Sequence, residues 1–181
     1  MSVKSFKTSG VGVDLAPKGL VLLNTTSFSA VASQSINDVF SASYDKYVFD
    51  WSIVTSTNAD INFRYRVSGS DNSTSNYYYS GLGNSWGAAS TLYYNSGASA
   101  TLWKIFNSGA ADRDANGTFT ICDPFSSTRK AQITGNFAYA TSGVTGVQGV
   151  VFDGTTSFTG FTIYTSTGTM TGTLAVYGKN K

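Results

Sequence analysis

The chain predicts an all-β fold, a single antiparallel β-sandwich preceded by an extended N-terminal arm. Three observations carry that expectation. First, none of the 181 residues is a glutamate or a histidine, and all ten acids are aspartates. Exposed helix faces draw heavily on glutamate, so a chain of this length without it is not built from surface helices. Second, short apolar runs alternate with polar residues at period two and are bounded by Gly, Asn, Asp and Ser clusters. Third, 49 residues are serine or threonine and only two, Pro17 and Pro124, are proline, so strands run unbroken.

The elements follow in chain order. Residues 1–19 hold Gly10, Gly12, Pro17 and Gly19 with Lys4, Lys7 and Lys18, and read as an arm ordered by a partner. Residues 20–181 form the sandwich domain, with strands expected near 20–24, 27–36, 46–55, 60–68, 75–80, 90–94, 100–106, 117–122, 129–140, 146–152, 158–165 and 169–178. In the fourth run Ile61, Phe63, Tyr65 and Val67 share one face, and Asn62, Arg64 and Arg66 share the other. In the last run Met170, Leu174 and Val176 alternate with Thr171, Thr173, Ala175 and Tyr177. The run 158–164 is expected to pair with it as a hairpin across Ser166-Thr167-Gly168. One helical turn is expected over 36–40, where Asn37 or Asp38 supplies a cap. Ten or more short strands with turn signals about every 8–15 residues imply an antiparallel sandwich of jelly-roll type, and no fixed-period repeat points to a propeller or solenoid.

The length fits one domain with a real core. Aromatics at 14% compensate for a modest hydrophobic content of 41%. Net charge is +2, charged residues are 12% of the chain, and no basic block of five or more occurs, which argues against a nucleic-acid partner or an anionic membrane. The longest apolar run, Leu20-Val21-Leu22-Leu23, is too short to span a bilayer. A surface this poor in charge packs against neighbours with little desolvation cost. The single cysteine, Cys122, excludes an intrachain disulfide and reads as a small buried or half-buried residue in a strand. Met1-Ser2-Val3-Lys4 opens without an apolar signal segment, so the expectation is a chain made in the cytosol.

Lack of histidine removes Ser-His-Asp and Cys-His nucleophilic sites and His-ligated zinc. Asp112-Arg113-Asp114-Ala115-Asn116-Gly117 matches the start of a calcium-loop template, with Asp123 where the template has a bidentate Glu. Aspartate is too short for that place and the flanks read as strand, so a polar turn is the favoured reading and no metal or other cofactor is expected. Asp112 with Asp114, or Asp45 with Asp50, are the conceivable carboxylate pairs for hydrolysis; neither shows an acid with a reason for a raised pKa, and no enzyme is expected. The aromatic clusters Tyr77-Tyr78-Tyr79, Trp86 and Tyr93-Tyr94 sit among Ser, Asn and Gly, the composition of adaptable contact surfaces. Alternate members are expected to fill the core, leaving Tyr78, Trp86 and Tyr94 as the candidate binding residues. Asn24, Asn72 and Asn116 stand in N-x-[ST] sequons, which mean little without a secretory signal.

Gly19-Leu20-Val21-Leu22-Leu23, then Val39-Phe40-Ser41-Ala42-Ser43-Tyr44-Asp45-Lys46-Tyr47, Gly117-Thr118-Phe119-Thr120-Ile121, Phe158-Thr159-Gly160-Phe161-Thr162-Ile163-Tyr164 and Gly172-Thr173-Leu174-Ala175-Val176-Tyr177-Gly178 together resemble a β-sandwich module of tailed-phage virion proteins, marine and cyanobacterial phages especially. The resemblance spans about residues 19–178. It implies a virion structural protein at the particle surface, a capsid decoration (cement) or accessory head protein, with a receptor-binding, lectin-like tail-fibre module as the alternative. It implies other virion proteins as partners, a host surface glycan under the alternative, and no catalytic residues to carry over. Independently, a small, His-free, cysteine-poor sandwich with a Gly-rich arm suits a symmetric homo-oligomer, with a trimer favoured.

Overall fold

The structure, a computed structural model, describes residues 19–85, 92–107, 114–140 and 143–179. The expected arm, residues 1–18 of it, lies outside the described residues. The described residues form thirteen strands and no helix, in two antiparallel sheets packed together as a β-sandwich.

The strands are β1 (Leu20–Val31), β2 (Ser33–Ile36), β3 (Lys46–Thr55), β4 (Asp60–Val67), β5 (Ser70–Asp71), β6 (Tyr77–Ser85), β7 (Leu92–Ala100), β8 (Trp103–Asn107), β9 (Asp114–Cys122), β10 (Gln132–Tyr139), β11 (Val144–Phe152), β12 (Gly160–Thr165) and β13 (Met170–Lys179). The larger sheet runs β1-β13-β3-β9-β10-β11-β6-β7. The smaller runs β2-β12-β4-β5, with β8 also paired to β4. The pairs β1·β13, β2·β12, β3·β9 and β4·β8 nest inward along the chain, like one long hairpin wound across both sheets. β5, β6 and β7 are inserted between β4 and β8, and β10 and β11 between β9 and β12. Four of the inserted strands widen the larger sheet far beyond the smaller one.

Alternation builds this layering. In β3 Tyr47, Phe49, Trp51 and Ile53 point inward while Lys46, Val48, Asp50 and Ser52 point outward. From the smaller sheet Phe63, Tyr65, Phe161, Ile163 and Trp103 meet them. The core is an aromatic stack: Tyr65 lies on Phe158 at 4.3 Å, Phe49 meets Phe161 edge-on at 5.0 Å, and Trp103 meets Phe119 edge-on at 4.8 Å. Such pairs contribute about 0.5–1.5 kcal/mol each beyond the area they bury. The β4–β5 hairpin closes through Ser68 and Gly69, both at positive φ, a two-residue turn whose twist matches its strands.

Three sequence expectations are corrected. Residues 36–40 form no helical turn. Asp38 has φ of 52°, the Phe40 N–H donates to the Thr159 carbonyl at 3.0 Å, and the Phe40 ring is buried between Tyr47 and Phe161. Burial of that ring overrides a weak capping signal. The runs 158–164 and 169–177 form no hairpin. β12 pairs with β2 and β4, whereas β13 pairs with β1 and β3 in the other sheet. Each strand carries an apolar face, Phe161 and Ile163 on one and Leu174 and Val176 on the other, and the link at 166–169 sets those faces against each other across the core. Gly168, at φ of 68°, serves this arch as it would serve a hairpin, so turn chemistry alone does not separate the two. The third correction concerns the aspartate motif.

Candidate binding face

Residues 114–122 are β9 throughout, so the stretch expected to be a polar turn is strand, with Asp112 and Arg113 outside the described residues. Asp114 and Asp123 stand at opposite ends of that strand, on the order of 30 Å apart at strand rise, and share no ion. Asp123 instead pairs with Arg129 at 2.8 Å, and the same guanidinium reaches Asp45 at 4.0 Å. Asp45 precedes β3 and Asp50 lies mid-strand, so this pair faces no common cleft. No group of three acids or cysteines able to hold a metal occurs among the described residues. Gly117, which looked like a turn residue, sits under a ring: a Cβ there would meet the Asn136 carbonyl at 2.6 Å and Trp51 Nε1 at 2.9 Å. Trp51 in turn stacks on Phe119, the planes 2° apart.

Register aligns the outer face of the larger sheet into rows. One row runs Thr25, Ala175, Asp50, Thr118, Asn136, Val147, Leu82 and Tyr94 across all eight strands. A neighbouring row runs Tyr177, Val48, Thr120, Thr134, Gly149, Ser80 and Ser96. Toward the β7 end these rows lose all charge. β6, β7, β10 and β11 contain no aspartate, lysine or arginine. Their outward residues are serines, threonines, asparagines and glycines set with exposed Tyr78, Leu82, Leu92, Tyr94, Val147 and Val151. Tyr94 is the most open of them, 78% exposed.

Shallow depressions cross this face. One of about 540 Å³ lies among Tyr94, Leu82, Val147, Thr134 and Ser80, and another of about 460 Å³ among Tyr78, Val151, Gln132 and Gly149. Glycines underneath make room for large inner side chains. A Cβ on Gly97 would meet the Tyr79 ring at 2.5 Å, and one on Gly81 would meet Gln148 Cγ at 2.3 Å.

The structure thus sets two of the three candidate residues on one face. Tyr78 and Tyr94 both point outward, whereas Tyr77 is fully buried and Tyr79 half-buried, as alternation required. Trp86 lies outside the described residues. Tyr94 sits opposite Leu82, four residues along β6 from Tyr78, so the two tyrosines are separated by about 13 Å of strand. They mark two ends of a surface rather than one aromatic clamp, and the Tyr78 hydroxyl is already bonded to Ser99 Oγ at 2.7 Å. Leu82, Leu92, Val147 and Val151 were not anticipated. Their signal was available as two charge-free stretches, residues 72–103 and 131–152, which the fold brings side by side.

Titratable groups here offer little chemistry. Cys122 is half-buried in its strand, as expected, and desolvation pushes its thiol up against the opposing pull of Lys46. Tyr79 is raised chiefly by burial. Compared with known protein families, curated proteins and solved structures, the chain matches none.

Proposed function

We propose that the chain is a surface subunit of a tailed-phage virion, a decoration or accessory head protein, working through protein–protein contact. The observation that carries this reading is the charge-free outer face of β10-β11-β6-β7. Covering it strips water from hydroxyls, amides and apolar side chains but from no formal charge, so contact there carries a small desolvation cost. The nested strand pairs support reading the sandwich as a jelly roll, an architecture that capsid proteins use. The sequence resemblance points the same way, and residues 1–19 then act as an anchoring arm. Antibody labelling of purified particles tests the proposal. Label on head or tail surface is the expected result, and particles free of the chain overturn it. Deleting residues 1–18 without loss of incorporation removes the arm from the account.

A second reading has its own observation. The open Tyr94 ring stands beside hydroxyls and amides with no charge nearby, the set of groups that stacks on and hydrogen-bonds to neutral sugars. A lectin-like module would bind a glycan array and lose that binding on Tyr94→Ala. Silence on the array with binding to empty capsids favours the first reading.

A further inference from the structure

We infer that β7 is a self-association edge, and that two copies of this chain join their larger sheets by antiparallel β7–β7 pairing about a two-fold axis at Ser96. This rests on the reading of the chain as an assembly protein and names the first partner as a second copy of itself. Among the described residues β7 pairs only with β6, so its other edge presents a row of backbone donors and acceptors. Folded proteins blunt such edges with charge, proline, bulges or brevity. β7 has none of these over its first six residues. It is nine residues long, holds no charged residue and no proline, and its one register irregularity and the positive φ of Ser99 lie toward its C-terminal end.

The other edges are defended. β1, at the far side of the same sheet, is broken by two register shifts and by Ala30 at φ of 51°. In the smaller sheet β2 has four residues, β5 two and β8 five. Pairing β7 with β1 of another copy would build an open chain, and the bulges of β1 oppose it. Pairing β7 with itself closes at two copies. The charge pattern agrees, because identical strands normally repel when they carry charge and these carry none.

Centring the pair on Ser96 sets Ser96 against Ser96 of the second copy, Asn95 against its Gly97 and Tyr94 against its Ala98, so the pairing spans residues 94–98 and stops where the irregular end of β7 begins. The uncharged faces of both copies then become one continuous surface. A two-fold dimer replaces the trimer that sequence alone favoured.

The test is light scattering with size-exclusion chromatography on the full chain across about 1–100 µM, the range in which Kd values of weak interfaces lie. Wild type is expected to be a dimer at the upper end. Ser96→Lys and Ser96→Asp each place like charges directly opposite and are expected to be monomers with unchanged circular dichroism. Mixed together they are expected to restore the dimer, which a merely misfolded variant cannot do. A monomeric wild type overturns the inference, as does a dimer or trimer indifferent to both substitutions. Capture of some other protein by a chain that never self-associates also overturns it. The two readings fail separately: a chain on particles whose dimer ignores Ser96 refutes only the β7 pairing, and a β7 dimer missing from particles refutes only the virion assignment.

Discussion

The two outer faces of the sandwich are built from opposite materials. On the smaller sheet Arg66 donates to Asp71, Ser35, Thr162, Asn37 and the Gly69 carbonyl, Lys104 pairs with Asp60 at 2.7 Å, and Arg64 lies 5.1 Å over the Tyr164 ring. On the far half of the larger sheet there is no charge at all. The first face gathers its polar side chains into a network around Arg66 and buries Asn62 and Thr162 beneath it. The second leaves hydroxyls, amides and aliphatic side chains facing outward. A polar network closed on itself stabilises the fold and offers a partner little, whereas an open neutral surface contributes little to folding and can be covered cheaply. The difference separates the part of the molecule that holds it together from the part that makes contact.

The largest effect comes from breaking what lies between the faces. The Tyr77 hydroxyl accepts from the Tyr65 N–H and donates to the Asn72 carbonyl, both at 3.0 Å, tying the larger sheet to the smaller. Burial drives the Tyr77 pKa above its ordinary value, and burial likewise holds Tyr65 well above it. A raised folded-state pKa means the unfolded chain releases the proton first. The stabilisation is therefore complete below about pH 10 and declines above it, by roughly 1.4 kcal/mol per pH unit for each such tyrosine. Cooperative unfolding is expected above about pH 10, with tyrosinate absorbance rising together with loss of the β circular-dichroism signal. Since histidine is the side chain that ordinarily titrates between pH 5 and 8 and the chain has none, stability is expected to be flat over that range. Tyrosine ionisation well before unfolding would show that the core is not closed as described.

The next effect is confined to the charged face. Arg66→Ala removes the guanidinium that Asn37, Ser35, Thr162 and Asp71 share, while Thr162 still donates to the exposed Asp71 at 2.7 Å. The expected loss is about 1–2 kcal/mol in urea unfolding, because several hydrogen bonds to one charged group go together while water can reach the exposed Asp71. A loss under about 0.5 kcal/mol, typical of exposed pairs, would mean the network is ornamental.

What the sequence disclosed follows the same division. Strand alternation in β4 and β13 was legible because period two sorts core from surface without reference to neighbours. Turn chemistry was not decisive. Gly168 and Asn116-Gly117 carry turn signatures, yet one lies in an arch between sheets and the other in mid-strand, where the glycine clears space for Trp51. Phe40 was read as part of a helical turn because its burial depends on Tyr47 and Phe161, which lie far along the chain from any local signal. Tyr78 and Tyr94 both face outward, but their separation depends on the β6–β7 register, which composition does not specify.

The smallest expected change in stability comes from the neutral face, and there the comparison is sharpest. Leu82 is 44% exposed and sits between Val147 and Tyr94 in the row that crosses the sheet. Leu82→Asp removes little buried area and leaves no polar group unpaired, so urea unfolding is expected to shift by no more than about 0.5 kcal/mol. Its effect on contact should be large, because a partner seated on this face would have to strip water from a new, unpaired carboxylate. Binding to whatever covers the face, whether measured as incorporation into particles or as glycan retention, is expected to fall at least tenfold. Binding by the wild type should hardly weaken between about 0.1 and 1 M salt, since no charge pair on this face is available for screening. Steep salt dependence, or an aspartate at position 82 that unfolds the chain while sparing contact, would reverse the roles assigned to the two faces.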